Sequence, residues 1–378
     1  MSPNITLHDP AKLFEFRETL NRVPCRVSER RLFGGPSDGV TLVELEVGDL
    51  SLGVLPTRGM GIWRGRCGDV QLKWDAPCAG PVHPALVNLA DPSGLGWLDG
   101  FNEWLVRCGL ENNGSPEFDE KGTLKYPLHG RIANTPAHSV TLTIDKERGE
   151  ITLTGLVRES RMFFKRLELT SSITLRAGTS GFTIRDTVTN ISGEPGAYQL
   201  LYHINNGMPF ITPGARVVVP FNRLVPRSPD AVENLPDWNK YGPETPGSNE
   251  VVFFLDPAAD KDGWVKTMLI NAEGNCGLVL CFDKKTLPLV SLWKSRLSNN
   301  DGYVSGIEPA VNFPNNYSFE KEKGRVVPLQ PGESRMHELR FEVLHSAVAV
   351  KATEKEIEAI HKTAAGKIES KPVPEWVS

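Results

Sequence analysis

Cysteine is scarce and scattered in this chain of 378 residues. The six cysteines lie at positions 25, 67, 78, 108, 276 and 281, and no two of them form a Cys-x-x-Cys pair. So few cysteines in a chain of this length are typical of reduced, mostly buried thiols and not of a disulfide framework. We therefore expect a cytoplasmic protein.

Long apolar runs and an excess of positive charge are also missing. No stretch approaches the length of a membrane span, and the N-terminal segment lacks the basic region and apolar core of a signal peptide. The net charge of −4 gives no basic field for nucleic acid or an anionic membrane. With 39% hydrophobic and 23% charged residues, the composition is that of a globular protein.

Motifs for several common chemistries are absent as well. The sequence has no Walker phosphate loop, no His-Glu-x-x-His and no Gly-x-Ser-x-Gly. Gly59-Met60-Gly61 with Gly65 has the wrong spacing for a dinucleotide fingerprint and favours a turn that needs flexible backbone. We therefore expect no cofactor, and these motifs assign no residue to a metal.

What the sequence does contain is a long series of strand patterns, which begins at about residue 39. In the clearest part, a hairpin is predicted around Glu147-Arg148-Gly149, and two longer strands follow around a turn at Ala177–Gly181. Many strands with sparse helix predict a mainly β protein, in which antiparallel sheets pack as a large sandwich.

Three segments favour helix instead. Residues 1–24 show apolar side chains clustered on one side of a short amphipathic helix. A second helix is predicted within residues 95–110. A third is predicted over residues 353–370, where Thr353 is a plausible N-cap and Glu356 completes a capping box.

No tandem repeat and no low-complexity linker divides the chain, so a single domain is predicted. It comprises an N-terminal helix and lead-in strand (1–38), the β-sandwich (39–348) and a C-terminal helix and tail (349–378). The Pro-rich, polar segment 226–249 is expected to be a long surface loop, and loops of that length are often functional.

Three titratable residues stand where strands are expected to end. His129 lies beside Gly130, His203 closes an apolar run, and Glu308 lies between Gly306 and Pro309 in GYVSGIEPAVNFP. A side chain at a strand end reaches a pocket mouth while its backbone stays fixed. From these contexts alone, a hydrogen-bonded structural role fits each of the three as well as a functional role.

Several motifs in a fixed order resemble one protein family. They are LPTRGMGIWRGRCGDVQLKWDAP, WLVRCGLENNGSPEF with YPLHGRIANTPA, YHINNGMPF, LPLVSLWKS with YVSGIEPAVNFP, and LQPGES. Together they resemble an uncharacterised bacterial family of the DUF4432 type, which is related to aldose 1-epimerases, the galactose-mutarotase-like proteins. The resemblance implies a β-supersandwich with the substrate in an open cleft on the concave sheet.

The resemblance also implies an isomerase of the aldose 1-epimerase type. In mutarotases a late Glu acts as base on the anomeric hydroxyl and a mid-chain His acts as acid on the ring oxygen, which implies these roles for Glu308 and His203. An earlier His and a nearby Arg bind sugar hydroxyls, which implies His129 and Arg131. The TRGM and CGLENNG segments belong to the less characterised family, so the fold is implied more strongly than the substrate.

The chemistry of these residue types agrees with this implication. Partial desolvation by apolar neighbours would raise the pKa of Glu308 and make it a better base, and the pKa of an ordinary His lies near neutrality. Donors for neutral hydroxyls could come from Asn205, Lys294 and Arg58. The expected partner is a free monosaccharide of unspecified type, and the sequence is compatible with a monomer or a homodimer.

Two other functions are compatible with the same residues. One is a non-catalytic sugar-binding or sensing protein that keeps the sandwich and the cleft but not the turnover. The other is a metal-dependent isomerase or lyase in which His129, His203 and Glu308 are ligands, because two His and a carboxylate form a legitimate metal set.

Overall fold

Antiparallel β-strands dominate the computed structural model, which describes residues 4–6 and 14–378 and the side chains of 14–378. Within these residues the strands are β1 (Asn4–Thr6), β2 (Glu15–Leu20), β3 (Val23–Arg31), β4 (Thr41–Val47), β5 (Leu50–Leu55), β6 (Gly61–Cys67), β7 (Val70–Leu72), β8 (Leu105–Leu110), β9 (Glu117–Phe118), β10 (Leu124–Tyr126), β11 (Ala137–Asp145), β12 (Glu150–Ser160), β13 (Arg166–Arg176), β14 (Gly181–Asn190), β15 (Gly196–Gly207), β16 (Arg216–Val218), β17 (Phe221–Pro226), β18 (Val251–Pro257), β19 (Trp264–Ile270), β20 (Gly277–Asp283), β21 (Leu289–Ser295), β22 (Val304–Ala310), β23 (Val327–Leu329), β24 (Ser334–Leu344) and β25 (Lys367–Ile368). The α-helices are α1 (Pro229–Glu233), α2 (Tyr317–Glu322) and α3 (Ala347–Lys362).

The strands form two large sheets and one small ribbon. One of the two large sheets has nine strands, in the order β1-β11-β12-β13-β14-β24-β20-β19-β16. The larger has the order β2-β3-β4-β5-β6-β8-β15-β22-β21-β18-β17-β25, with β7 beside β6 and β23 beside β15. Strands β9 and β10 form the ribbon, and β17 with β25 is the one parallel pair among the described strands. The predicted mainly β class, with antiparallel sheets packed as a large sandwich, is confirmed.

The main hydrophobic core lies between the two large sheets. Side chains from both sheets meet there, for example Leu45 and Ile62 from one and Leu153 and Phe341 from the other. A second apolar cluster covers the opposite face of the larger sheet, where loop residues such as Trp97 pack on its central strands. Strands β8, β15 and β22 are therefore buried on both faces, which holds their side chains in fixed positions.

A buried ion pair joins the two sheets within the main core. Arg107 on β8 bonds the carboxylate of Asp186 on β14 through two of its nitrogens. Its remaining donors bond the carbonyl of Met60 and the hydroxyl of Ser171, each at 2.8 Å. Because every guanidinium nitrogen has a protein partner, the charge is compensated although no water reaches it.

The N-terminal helix prediction is wrong where it can be compared. Glu15–Leu20 is a strand that pairs with β3, and residues 7–13 lie outside the described residues. Phe14 and Phe16 pack partly against the main core. The alternation Phe14, Phe16, Glu18, Leu20 fits a strand period as well as a helical stripe, and an available sheet edge decides for the strand.

The helix predicted within 95–110 is also wrong. The segment forms a short 3-10 turn at Gly96–Gly100 and then strand β8. At Gly96 a Cβ would lie 1.8 Å from the carbonyl oxygen of Asn88, so the turn requires glycine. Strand β8, which follows, is apolar and buried on both faces. Such a run does not alternate between apolar and polar residues, so its sequence cannot distinguish a strand from a buried helix.

Other local predictions are confirmed. The hairpin between β11 and β12 and the long pair β13 and β14 have the expected positions. The C-terminal helix forms, but it begins at Ala347 and its N-cap is Ser346, whose hydroxyl accepts from the N–H of Ala349. It ends at Lys362, so the predicted cap at Thr353 is wrong by two turns.

Two further predictions can be compared with the structure. Segment 226–249 is a surface connection as expected, although it contains helix α1 and one more helical turn. All six cysteines are free thiols. In the described part of the chain, no helix combines the length and the apolar character needed to cross a membrane.

Candidate functional site

The register of two neighbouring strands brings His203 and Glu308 together. Strand β15 pairs with β22 so that Leu201 lies opposite Ala310 and Ile204 opposite Ile307, which places His203 across from Glu308. The distance between His203 Nε2 and Glu308 Oε1 is 3.1 Å, and the two side chains are 6% and 3% exposed. Both point to the face of the larger sheet that lies away from the main core, because the core side chains alternate with them.

Gly306 explains why the carboxylate follows a glycine. It lies two residues before Glu308 and therefore on the same face of β22. A Cβ at this position would be 2.4 Å from Glu308 Oε1 and 3.2 Å from His203 Cε1. Only glycine leaves the space in which the carboxylate can lie against the imidazole.

Asn205 determines which nitrogen of His203 carries a proton. The amide nitrogen of Asn205 donates to the carbonyl oxygen of Glu103 at 2.9 Å, so its amide oxygen is the atom that faces His203 Nδ1, at 2.5 Å. Nδ1 must therefore be the protonated nitrogen of the neutral ring, and Nε2 is left as an acceptor toward Glu308. A contact of 3.1 Å between Nε2 and Oε1 is then favourable when one proton is shared between them.

Burial decides where that proton rests. It raises the pKa of Glu308 well above its ordinary value. It also lowers the pKa of His203 to about 3, and the neighbouring His129 adds to the decrease. Both shifts favour the uncharged pair, a carboxylic acid beside a neutral imidazole. Because the two groups touch, they titrate as one unit that holds one proton across the neutral range.

His129 lies beside the pair. Its ring centroid is 5.5 Å from that of His203, and burial lowers its pKa to about 4. His129 and Gly130 both have positive φ angles, 56° and 73°. At Gly130 a Cβ would be 2.0 Å from the carbonyl oxygen of Asn112, which explains the His-Gly pair in the sequence. The Nδ1 of His129 lies 2.8 Å from the carbonyl oxygen of Asn113, and this contact orients the ring.

Three aromatic rings form the walls around His203. The centroid distances are 5.0 Å to Phe101, 5.2 Å to Trp293 and 6.3 Å to Trp97. Trp293 lies on strand β21, beside the strand that carries Glu308. Trp97 and Phe101 were missed because their segment was predicted as helix.

Several buried polar atoms at this face have no hydrogen-bond partner among the described residues. They include the hydroxyl of Ser291 and the indole N–H of Trp97. Ser291 lies directly opposite Glu308 in the pairing of β21 with β22. Buried polar atoms are normally bonded, so a cluster of unbonded ones beside a histidine and a carboxyl is typical of a binding site.

Arg58 is buried but does not join this cluster. Its guanidinium forms an ion pair with Glu103 and bonds the carbonyls of Val82 and Gly100 and the side chain of Asn134. Four of its five N–H donors are bonded to these partners, so the guanidinium is held mainly by the protein's own loops. Arg58 instead holds the loops that carry Trp97 and Phe101, which is an indirect contribution to the site.

Lys294 lies on the wrong face of the sheet for the predicted role. It is paired with Ser305, and Ser305 and Glu308 point to opposite faces of β22. Its ammonium group bonds the carbonyl oxygens of Asp237 and Lys240 at 3.1 and 2.9 Å. The prediction from the SLWKS motif assigned the pocket to Lys294, whereas alternation along the strand gives it to the adjacent Trp293.

Arg131 and Asn205 also differ from the predicted roles. Arg131 lines a separate surface depression of about 250 Å³ beside Glu159 and makes no hydrogen bond or ion pair with His203 or Glu308. Burial raises the pKa of Glu159 to about 7. Asn205 is at the site, but its amide is used to orient His203.

A charged pair near the site was missed entirely. Arg227 and Glu250 form an ion pair at 3.2 Å, and the second carboxylate oxygen of Glu250 accepts from the indole N–H of Trp293 at 2.8 Å. The two residues are 31% and 55% exposed, so they lie at the rim. They follow β17 and precede β18, and no motif in the sequence connects these strand ends with Glu308.

The geometry was also compared with that of a metal centre. Among the described residues, no group of three or more His, Cys, Asp or Glu side chains is arranged to hold a metal ion. The Nδ1 atoms of His129 and His203 are each occupied by an oxygen of the protein.

Comparison with other proteins places the chain in a family. The family described as a domain of unknown function, DUF4432, matches residues 37–343. A solved structure from Klebsiella pneumoniae, described as a "putative aldose 1-epimerase", is 31% identical, with 99% of both chains covered and a TM-score of 0.94.

A more distant structure shares the fold. A galactose mutarotase-like protein from Clostridium acetobutylicum is 15% identical, with 89% of this chain and 99% of the other covered and a TM-score of 0.55. The comparison with curated proteins gave no match. The family match over residues 37–343 and the similarity to the Klebsiella pneumoniae structure over 99% of both chains show that this chain belongs to the DUF4432 family, and it has the galactose-mutarotase-like fold.

Proposed function

We propose that this protein is a cytoplasmic mutarotase of the aldose 1-epimerase type, which interconverts the anomers of a free monosaccharide. The observation that carries the proposal is the contact of 3.1 Å between His203 Nε2 and Glu308 Oε1, on a buried face with unbonded polar atoms. The description of the Klebsiella pneumoniae relative supports an isomerase of this kind.

The proton inventory of the pair matches the reaction. Opening an aldopyranose ring requires one proton to leave the anomeric hydroxyl and one to arrive at the ring oxygen. A pair that holds one proton has one acceptor and one donor at the same time. After ring opening the pair again holds one proton, on the other partner, so the reverse step closes the ring without exchange with solvent.

The productive state is the ion pair, with Glu308 as carboxylate and His203 as imidazolium. It forms from the resting neutral pair when the proton moves from Oε1 to Nε2. Glu308 then takes the proton of the anomeric hydroxyl while His203 protonates the ring oxygen, and the C1–O5 bond breaks to give the open-chain aldehyde. Rotation about C1–C2 presents the other face of the aldehyde, and closure with reversed proton transfers gives the other anomer.

The surrounding residues position the sugar in this proposal. Both reacting oxygens are attached to the same carbon, so two protein atoms in mutual contact can reach both of them at once. The rings of Trp293 and Phe101 provide apolar surface for the C–H face of a sugar. The hydroxyl of Ser291 and the indole N–H of Trp97 provide unbonded polar atoms for sugar hydroxyls.

The direct test is the substitution Glu308→Gln, measured by saturation-transfer NMR of anomer exchange across a panel of free aldopentoses, aldohexoses and deoxysugars. For the sugar that the wild type accelerates, we expect a loss of about 10²- to 10⁴-fold in the catalysed rate. Because Glu308 is uncharged at rest and the amide N–H of a glutamine can donate to His203 Nε2 in its place, we expect the melting temperature to stay unchanged.

Glu358→Gln is the matched control, because Glu358 is an exposed carboxylate on helix α3. It should leave both the exchange rate and the melting temperature unchanged. Unchanged exchange in Glu308→Gln would refute the proton shuttle. A wild type that binds a sugar tightly without accelerating its exchange, and a Glu308→Gln variant that binds it equally well, would instead identify a sugar-binding protein.

A further inference from the structure

A second cavity lies behind strand β21, on the face away from Glu308. Its volume is about 340 Å³, and it is lined by β21, the start of β22 and the segment that follows α1. Small-molecule sites typically enclose roughly 300–1,000 Å³, so the cavity has the size of a site for a small metabolite. Its residues include Lys294, the lysine that the sequence assigned to the sugar pocket.

The charges around this cavity do not balance. Lys294, Arg296 and Lys240 contribute three cations, and Asp237 contributes one carboxylate. Lys240 and Asp237 form an ion pair with each other at 3.1 Å and are both largely exposed. The two remaining cations, Lys294 and Arg296, form no ion pair with any described carboxylate.

The partners of Lys294 are uncharged. Its ammonium group bonds two backbone carbonyls, of Asp237 and Lys240, and lies 4.8 Å from the ring centroid of Tyr241. An ammonium group has three donors, so two carbonyl bonds leave one donor over. The side chain is almost fully buried, and burial together with the positive charge of Arg296 lowers the pKa of Lys294 to about 7.

Arg296 is incompletely bonded in the same way. One terminal nitrogen donates to the side-chain oxygen of Asn234 at 3.0 Å. Its Nε is buried and has no partner among the described residues. Leaving a buried guanidinium N–H unbonded costs stability, which a ligand acceptor would offset.

We infer that this cavity binds a small oxyanion, a carboxylate or phosphate group of a metabolite, between Lys294 and Arg296. The oxyanion supplies the missing countercharge and accepts from the free donors of both side chains. The rings of Tyr241 and Tyr303 line the same cavity and provide surface for the uncharged remainder of the ligand. This site is independent of the proposed sugar chemistry, because Lys294 and Glu308 lie on opposite faces of the sheet.

The test is isothermal titration calorimetry of the full chain at pH 6.5 and low salt, with inorganic phosphate and with galacturonate as probes. We expect saturable binding of at least one probe, which shows whether a phosphate or a carboxylate is preferred. Lys294→Met and Arg296→Gln should each weaken the affinity at least tenfold. Lys351→Met removes an exposed lysine of helix α3 and should leave the affinity unchanged.

Two further measurements separate the site from a merely structural role of Lys294. Because an anion favours the charged ammonium, binding of galacturonate, whose own carboxylate does not titrate in this range, should take up protons between about pH 7 and 8, measured as a dependence of the heat on the buffer. The affinity for galacturonate should fall as the pH rises through this range, because Lys294 loses its charge. The other titratable or charged groups that face the cavity are Asp237, Lys240, Tyr241, Tyr303 and Arg296. Arg296→Gln leaves the two bonds of Lys294 in place, so it tests the site even if Lys294→Met does not fold.

The outcomes that would overturn the inference are equally definite. Absence of binding of both probes at 10-fold molar excess over a millimolar protein sample would refute it, as would binding that neither Lys294→Met nor Arg296→Gln weakens. Loss of anion binding in Glu308→Gln would assign the anion to the other face of the sheet. Because the proposed sugar exchange is measured separately, failure of either proposal leaves the other intact.

Discussion

Strand β15 separates two buried polar clusters that differ in one respect. On its core side lies the guanidinium of Arg107, from the neighbouring strand β8, which has a protein partner at every nitrogen. On its other side His203 meets Glu308, and the hydroxyl of Ser291 and the indole N–H of Trp97 beside them have no hydrogen-bond partner among the described residues. The two clusters lie at similar depth in the same sheet, so burial alone does not distinguish them.

The difference lies in how completely the polar atoms are bonded. A buried charge with full compensation stabilises one arrangement of the two sheets and leaves nothing for a ligand. Buried polar atoms without hydrogen bonds lower the stability of the fold. Proteins keep such destabilising groups mainly at functional sites. The comparison therefore predicts that damage to the first cluster reduces stability and damage to the second reduces activity.

The largest effect on stability is expected for Asp186→Asn. The substitution leaves the buried Arg107 without its countercharge, so we expect a loss of about 3–5 kcal/mol in the free energy of unfolding, measured by urea denaturation. Glu168→Gln is the control, because Glu168 pairs with Arg158, which is 52% exposed, and a surface pair contributes about 0–1 kcal/mol. Equal effects of the two substitutions would contradict the comparison.

An intermediate effect, on activity, is expected for Gly306→Ala. The new Cβ would lie 2.4 Å from Glu308 Oε1, so the carboxyl group must move away from His203. A displacement of this size at reacting groups costs about 10²-fold in rate, whereas the flexible carboxyl end can move at small cost in stability. Gly53→Ala, in strand β5 of the same sheet, provides the control, and a Gly306→Ala variant that keeps full exchange activity would be evidence against the paired geometry.

The smallest effect is expected when pH is varied over the neutral range. Since burial lowers the pKa of His203 to about 3 and raises the pKa of Glu308, the pair keeps one proton between these limits. We expect the exchange rate to change less than about twofold between about pH 5 and pH 7. The exchange rate should fall at lower pH, because His203 is protonated and the pair then holds two protons. It should also fall at high pH, because Glu308 is deprotonated and the pair then holds none. A rate that titrates near pH 6.5 would indicate an ordinary, solvated histidine.

Local patterns in the sequence were sufficient for much of the fold. The hairpin of β11 and β12 and the long strands β13 and β14 have clear alternation because one of their faces is solvated. The same rule failed for β8, which is buried on both faces and reads as a continuous apolar run. It also failed for Glu15–Leu20, a short segment in which strand and helix periods coincide.

The candidate site was predictable only in part. His129, His203 and Glu308 were found from strand ends and from the resemblance, since these features are local. Lys294 was misplaced, because assigning a residue to a face requires the register of β21 against β22. Arg227 and Glu250 could not have been found from the sequence. They lie at the ends of β17 and β18, which carry no recognisable motif, and only the packing of these strands places them at the rim of the site.

The amino-acid sequence by itself determined the mainly β class, the family and the three side chains that converge on one face. These follow from alternation, turn residues and motif order, which are properties of short segments. The tertiary structure alone decided that His203 Nε2 faces Glu308, that Asn205 selects the tautomer, and that Lys294 belongs to a different cavity. These depend on strand register and on burial from both sides, and both arise only when distant segments pack together.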